Sequence, residues 1–119
     1  KVIFPRMADM FQPKFDSAGL LTAVVTHAES GALLMVAHMN AEAIAATRRT
    51  GRAHFWSRSR QSLWLKGETS GHFLDVHDIL VDCDQDCLWI KAMPAGPACH
   101  TGAASCFFRR LGPGGLEPL

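Results

Sequence analysis

The sequence lacks the features that would assign it to several broad classes of protein. Its 119 residues contain no run of about 18 apolar residues, so we expect no membrane-spanning helix. The formal net charge is only +1 at pH 7, which argues against a broad grip on nucleic acid. The first residues lack the long apolar stretch and small-residue cleavage site of a secretory signal peptide. We therefore expect one cytoplasmic domain with neither a membrane nor a nucleic-acid partner.

Apolar alternation and turn residues predict an α+β fold with a largely antiparallel or mixed sheet and one main helix. The helix should span residues 41–50, with Asn40 as its N-cap and Gly51 as its stop. Residues 1–14 should form an N-terminal arm, and residues 109–119, which are rich in Gly and Pro, a flexible tail. Strands are predicted at residues 20–26, 32–38, 53–60, 63–66, 73–81 and 88–93.

Three carboxylates and a thiol lie within five residues in the run Asp82-Cys83-Asp84-Gln85-Asp86. Carboxylate oxygens suit hard ions such as magnesium. In a straight strand Asp82 and Asp86 would be too far apart to share one ion, at about 3.3 Å per residue. We therefore expect a hairpin with its tip at residues 84–86, in which Cys83 and Cys87 face each other across the two strands. The alternative is an acidic turn that is merely solvated.

Three cysteines, Cys83, Cys99 and Cys106, are candidate zinc ligands. Three protein ligands and one open position are typical of catalytic zinc. Cys99 and Cys106 do not have the Cys-x-x-Cys spacing of structural zinc modules, and Cys83 is distant in sequence. These thiols would have to meet by folding or across a subunit boundary. The alternative is that they are buried free cysteines.

Several stretches together resemble the phosphoribosyl-AMP cyclohydrolase family, enzymes of histidine biosynthesis. The resemblance covers residues 15–108, which we take as the domain. It rests on LMVAHMN (34–40), HFWSRSR (54–60), LWLKGETSG (63–71), DCDQD (82–86) and GPACHTGAASCF (96–107), which occur in this order.

The resemblance implies an intertwined homodimer that hydrolyses the purine ring of phosphoribosyl-AMP between ring nitrogen 1 and carbon 6. The product would be the phosphoribosylformimino aminoimidazole carboxamide ribotide. Cys83 of one subunit would join Cys99 and Cys106 of the other around zinc, with one zinc per subunit. The family's magnesium-binding carboxylates would correspond to Asp82, Asp84 and Asp86.

Known chemistry agrees with this implied reaction. Zinc-bound hydroxide is available near neutral pH and would attack the electron-poor carbon 6. His100, next to Cys99, is the candidate for moving the proton to ring nitrogen 1, and the alternative is a metal-ligating or supporting role. Trp56 and Trp64 could stack on the purine, but an aromatic residue on a strand more often belongs to the core, so both are left out of the catalytic set. The substrate-binding candidates are Ser57, Arg58, Ser59, Arg60, Lys66, Glu68, Thr69 and Ser70.

Three competing interpretations remain at this point. A non-catalytic zinc module would hold a small fold together but would leave the three Asp unexplained. A thiol redox protein would use Cys83 and Cys87 without the usual Cys-x-x-Cys spacing. Nucleic-acid binding through Arg58 and Arg60 conflicts with the low net charge. The chain departs from the usual pattern of the family at two of these positions. Gln85 stands where the family usually has Gly, and Cys87 stands where the family does not usually have Cys. Neither departure removes an assigned ligand.

Overall fold

The protein is described by a computed structural model covering residues 10–119. Residues 1–9 of the predicted arm lie outside the described residues, and residues 10–16 contain no helix or strand. The regular elements, in chain order, are β1 (Leu21–His27), β2 (Leu33–Met39), α1 (Ala41–Thr50), β3 (His54–Ser57), β4 (Ser62–Leu65), β5 (Leu74–Val81), β6 (Cys87–Pro94), β7 (Arg109–Gly112) and β8 (Gly115–Pro118).

Six strands form one mixed sheet in the order β4-β3-β2-β1-β6-β5. Neighbouring strands are antiparallel except β1 and β6, which pair in parallel from Thr22 opposite Cys87 to His27 opposite Ala92. Strands β1 and β2, which correspond to the strands predicted at residues 20–26 and 32–38, form an antiparallel hairpin. The α+β class and the mixed sheet predicted from the sequence are confirmed.

The single helix among the described residues begins and ends where the sequence predicts. The Asn40 side chain accepts a hydrogen bond from the Ala43 N–H at 2.8 Å, which satisfies one of the free N–H groups of the first turn. Gly51 ends the helix in the left-handed region at φ 75°, which glycine adopts without a steric penalty. Within residues 10–119, no helix is long and apolar enough to cross a membrane.

The hydrophobic core lies between one face of the sheet and the helix. Alternate residues of β1 and β6, among them Ala23 and Ile90, are fully buried on this face. Ile44 of α1 and Phe55 of β3 belong to the same cluster. Complete burial of a side chain such as Phe55 stabilises the fold by about 1.5–3 kcal/mol.

Strand β3 is shorter than the sequence predicts, because it ends at Ser57 rather than at residue 60. The β3–β4 register places Ser57 opposite Ser62, so residues 58–61 form the turn. Polar side chains satisfy its backbone, since the Gln61 side chain donates to the Arg58 carbonyl at 2.7 Å. The prediction that the strand reaches residue 60 is therefore wrong, and Arg58 and Arg60 lie in the turn.

The C-terminal segment has regular structure in place of the expected flexible tail. Strands β7 and β8 form an antiparallel hairpin in which Leu111 lies opposite Leu116, around a turn at Pro113-Gly114. The Gly and Pro residues that suggested a loose tail are here the residues of the turn. Leu111 and Leu116 remain 83% and 62% exposed, so burial of these side chains against the chain's own core does not stabilise the hairpin.

Candidate active site

The acidic run forms the turn between β5 and β6, as predicted. The Asp82 N–H donates to the Cys87 carbonyl at 3.2 Å, and the Gln85 N–H donates to the Asp82 carbonyl at 3.1 Å. Asp82 Oδ1 also accepts hydrogen bonds from the N–H groups of Asp86 and Cys87, at 3.0 and 3.1 Å. The Asp82 carboxylate therefore fixes the backbone of the turn, and the carboxylates of Asp84 and Asp86 lie beside it.

The register of this hairpin differs from the prediction by one residue. Val81 lies opposite Leu88, so Asp82, not Cys83, faces Cys87 across the strands. The longer turn needs one residue in the left-handed region, and Gln85 takes it at φ 62°. The expected cross-strand pair of Cys83 and Cys87 is therefore wrong, and the described cysteines are free thiols.

The three carboxylates of the turn converge on one point. One oxygen from each of Asp82, Asp84 and Asp86 can be chosen so that all lie within 4.8 Å of one another. Hydrogen bonding to Asp82 and Asp84 raises the pKa of Asp86 to about 6. Desolvation raises the pKa of Asp82, but hydrogen bonds from Asp86 and Cys87 outweigh it and lower that pKa. An all-oxygen set of this kind fits a hard divalent cation such as magnesium.

The N-terminal segment is attached to this turn through Gln85. The Gln12 N–H donates to the Gln85 side-chain oxygen at 2.7 Å, and the Lys14 N–H donates to the Gln85 carbonyl at 2.8 Å. A cleft of about 340 Å³ lies beside the turn, lined by Lys14, His38 and Asp86 among others. Part of the predicted arm therefore borders the acidic turn.

Cys99 and Cys106 form a thiol pair at the other end of the sheet. The Cys106 N–H donates to the Leu34 carbonyl at 2.8 Å, which attaches it to the start of β2. Thr101 Oγ1 donates to Cys99 Sγ at 3.1 Å. This hydrogen bond, with help from Cys106 and the Lys66 ammonium, lowers the pKa of Cys99. Burial and the neighbouring Cys99 raise the pKa of Cys106.

Cys83 does not join this thiol pair within one chain. It follows β5 at the acidic turn, whereas Cys99 follows the opposite end of β6. The eight residues of β6 span about 23 Å at roughly 3.3 Å per residue. Among residues 10–119, the only three acidic, His or Cys side chains with ligand atoms within 4.8 Å of one another are the three Asp of the turn.

A cleft of about 370 Å³ opens beside the thiol pair. Five predicted substrate-binding residues line it, namely Arg60, Lys66, Glu68, Thr69 and Ser70, together with His100 and Cys99. Ser57, Arg58 and Ser59 are absent from its lining and lie at the end of β3 and in the turn after it. The cleft therefore combines cationic and hydroxyl side chains with the Cys99 thiol and an imidazole.

The cleft also contains two side chains that sequence reasoning left out, Trp64 and His72. Trp64 packs against buried Phe55, with ring centroids 5.2 Å apart, and lines the cleft as well. The chain approaches His72 closely at Gly96, where an added Cβ would lie 2.5 Å from the imidazole Cδ2. A lone histidine in a loop carries no sequence signal of its own. Gly96, which leaves room for the His72 imidazole, could have indicated this contact.

Comparison with known proteins decides the family. A family model described as phosphoribosyl-AMP cyclohydrolase matches residues 35–108, which include the cleft, the acidic turn and the thiol pair. The chain belongs to the phosphoribosyl-AMP cyclohydrolase family. The family and the enzyme class predicted from the sequence are therefore confirmed.

Individual phosphoribosyl-AMP cyclohydrolases are similar over nearly the whole chain. The protein of that name from Sphingopyxis alaskensis is 64% identical over 112 residues, which are 93% of this chain and 89% of its own. The one from Erythrobacter litoralis is 62% identical over 92% of this chain and 88% of its own. The one from Rhizorhabdus wittichii is 60% identical over 83% of this chain and 80% of its own.

Proposed function

We propose that the chain hydrolyses the purine ring of phosphoribosyl-AMP between ring nitrogen 1 and carbon 6, in the cytoplasm, as a step of L-histidine biosynthesis. The observation that supports this most directly is the cleft of about 370 Å³ beside Cys99. Anion-binding side chains, a thiol with a lowered pKa and an imidazole all line this cleft. The anion-binding side chains suit the phosphates of a purine nucleotide, and the thiol and imidazole suit metal binding and proton transfer during its hydrolysis.

Cations and hydroxyl groups of the cleft would hold the substrate's phosphates. Arg60 can form paired hydrogen bonds with phosphate oxygens, and Lys66 adds a positive charge. Thr69 and Ser70 supply hydroxyl donors on the loop after β4. Because Arg60 lies in the turn after β3, it can move toward a ligand more freely than a residue within a strand.

The thiol pair fits zinc as an incomplete ligand set. Cys99 and Cys106 supply two thiolate candidates, and the lowering of the Cys99 pKa favours its metal-binding form. Cys83 of a second copy would supply the third, since Cys83 of the same chain lies at the far end of β6. Zinc bound there would lower the pKa of a coordinated water to about 7 and would supply hydroxide near neutral pH.

His100 is the residue we assign to proton transfer. It is exposed and lines the cleft, next in sequence to Cys99. An imidazole can both accept and donate a proton near neutral pH. Its role would be to bring the proton to ring nitrogen 1 as the carbon–nitrogen bond breaks.

The acidic turn would hold magnesium through Asp82, Asp84 and Asp86. Magnesium prefers a few carboxylates together with phosphate oxygens, so it would help neutralise the substrate's phosphates. The turn and the thiol pair are at opposite ends of β6 in one chain. A homodimer with a shared site would bring both metals to one substrate.

Ring opening by metal-stripped protein, followed by absorbance, tests the proposal directly. Zinc and magnesium are added back separately and together. We expect turnover of phosphoribosyl-AMP only when both ions are present. Tight, stoichiometric zinc binding without turnover would instead support the alternative of a non-catalytic structural zinc module.

A further inference from the structure

Gln85 is hydrogen-bonded at two points to the N-terminal segment, defined here as residues 10–16. Its side-chain oxygen accepts from the Gln12 N–H at 2.7 Å, and its backbone carbonyl accepts from the Lys14 N–H at 2.8 Å. Alternate N–H groups of an extended chain point to the same side, so one residue of the acidic turn can accept both. The attachment uses main-chain donors of the segment, and a change of side chain at Lys14 leaves these donors in place.

Two further contacts hold the N-terminal segment against the fold. Its alternate apolar residues Phe11, Pro13 and Phe15 line a cleft along α1, and Phe15 packs against the core. At its end, Asp16 Oδ1 accepts a hydrogen bond from the Leu20 N–H at 3.0 Å, just before β1 begins. The segment therefore lies between the helix, which its apolar side chains contact, and the acidic turn, to which its N–H groups donate.

The peptide unit between Gln85 and Asp86 is hydrogen-bonded on both sides. Its carbonyl oxygen, which belongs to Gln85, accepts from the N-terminal segment, and its N–H, which belongs to Asp86, donates to Asp82 Oδ1 at 3.0 Å. A peptide unit is planar, so fixing the direction of the carbonyl also fixes the direction of the N–H. The position of the segment is therefore transmitted through one rigid group to two of the three converging carboxylates.

Gln85 also has a backbone conformation that its side chain disfavours. Its φ is 62°, in the left-handed region, where a residue with a Cβ is strained. Because Gln85 lies between Asp84 and Asp86, this conformation sets the relative directions of both carboxylates. The two hydrogen bonds from the N-terminal segment offset the strain. Loss of these bonds should release the turn into conformations in which the carboxylates do not converge.

We infer that Gln85 is a positioning residue that couples docking of the N-terminal segment to cation binding at the acidic turn. The docked segment holds the carboxylates in place before the cation arrives, so less ordering is needed on binding. Such coupling is reciprocal, because a cation bound at the turn favours the docked segment by the same factor. The inference rests on the proposed magnesium site, which it extends by naming what organises the turn.

Hydrogen exchange of the Gln12 and Lys14 amides, followed by NMR at constant pH, tests the coupling in the wild-type chain. Saturating magnesium should slow exchange of both amides by about fivefold or more, since coupling factors are usually of this size. The Gly31 amide is the control, because it donates to the His27 carbonyl at the far end of β1 from the turn. Exchange at Gln12 and Lys14 that magnesium leaves unchanged would overturn the inference.

The variant Lys14→Pro tests the same coupling from the side of the cation. It removes the N–H that donates to the Gln85 carbonyl and changes no residue of the turn. Calorimetric titration should show magnesium binding severalfold weaker than in wild type. Lys14→Ala keeps the N–H and is the matched control, which should not weaken binding. Wild-type magnesium affinity in folded Lys14→Pro would overturn the inference.

Gln85→Gly removes the acceptor of the Gln12 N–H and keeps a residue that adopts positive φ freely. Magnesium binding should again be severalfold weaker. Circular dichroism shows whether each variant folds. If neither variant folds, the exchange measurement on the wild-type chain decides by itself.

The outcomes distinguish this inference from the proposed function. Magnesium binding that Asp84→Asn abolishes, with unchanged exchange at Gln12 and Lys14, would keep the magnesium site and reject the coupling. A wild-type chain that binds no magnesium would reject both. Slowed exchange without turnover of phosphoribosyl-AMP would support the coupling and count against the proposed reaction.

Discussion

Thr101 Oγ1 donates a hydrogen bond to Cys99 Sγ at 3.1 Å. This contact is the largest of the influences that lower the pKa of Cys99, ahead of Cys106 and Lys66. Both residues lie in the loop after β6, where the Cys99 N–H also donates to the Ala103 carbonyl at 3.1 Å. The loop therefore prepares this thiol for ionisation through a neighbour two residues away.

Removing that hydroxyl should make the Cys99 thiol harder to ionise. In Thr101→Val the pKa of Cys99 rises, so the thiolate appears at higher pH and zinc binding weakens at a given pH. The ultraviolet absorbance of thiolate, titrated against pH, measures the change as a difference from wild type. Thr101→Ser keeps the donor and is the control. An unchanged titration would show that the hydroxyl does not stabilise the thiolate.

Cys99→Ala should abolish stoichiometric zinc binding, whereas Cys87→Ala should retain it. Burial and the nearby Asp82, Asp86 and Asp84 raise the pKa of Cys87, which disfavours its thiolate at neutral pH. Elemental analysis of the purified proteins gives the zinc content. A Cys99→Ala protein with wild-type zinc content would refute the ligand assignment, and zinc loss in Cys87→Ala would point to competition between the thiols.

Magnesium affinity should depend on the protonation of Asp86, whose pKa is raised to about 6. Above this pH Asp86 is ionised and attracts the cation. As the pH falls through this value, Asp86 takes up a proton and binding should weaken. Calorimetric titration with magnesium on either side of pH 6 measures the effect.

Asp84→Asn provides the matched variant for the acidic turn. It removes one ligand candidate and one of the groups that raise the pKa of Asp86, so magnesium-dependent turnover should be lost. Zinc should be retained, because Asp84 and Cys99 lie at opposite ends of β6. A magnesium response equal to that of wild type would remove the turn from the mechanism.

His100→Ala should lower kcat by roughly 10²–10⁴, the usual contribution of a general acid or base. Zinc content distinguishes the two roles considered for this residue, since a proton carrier leaves zinc in place and a ligand does not. His77→Ala, on the exposed side of β5, is the control. Unchanged kcat in His100→Ala would exclude the proton-transfer role.

Asn40→Ala should destabilise the fold by about 1 kcal/mol, because it removes the acceptor for the Ala43 N–H. Asn40→Asp keeps an acceptor at this position and should cost much less. Urea unfolding followed by circular dichroism gives both free energies of unfolding. Equal stability of wild type and Asn40→Ala would show that water satisfies this helix end equally well.

The local features of this chain could be predicted because short-range physics sets them. Asn40 and Gly51 delimit the helix through a capping hydrogen bond and a left-handed backbone conformation. The acidic turn followed from the interruption of apolar alternation. The register of the turn could not be predicted in the same way. Whether Cys83 or Asp82 lies opposite Cys87 depends on how many residues the turn contains.

The sequence by itself determined the helix, most strands, the carboxylate cluster and the family, since each depends on residues close together in the chain. Only the tertiary structure decided which distant residues are neighbours. The parallel pairing of β1 with β6 could not be predicted from alternation, which is the same for either direction of a neighbouring strand. The tertiary structure also decided that Cys83 and Cys99 lie apart within one chain, because the length of β6 separates the two thiols.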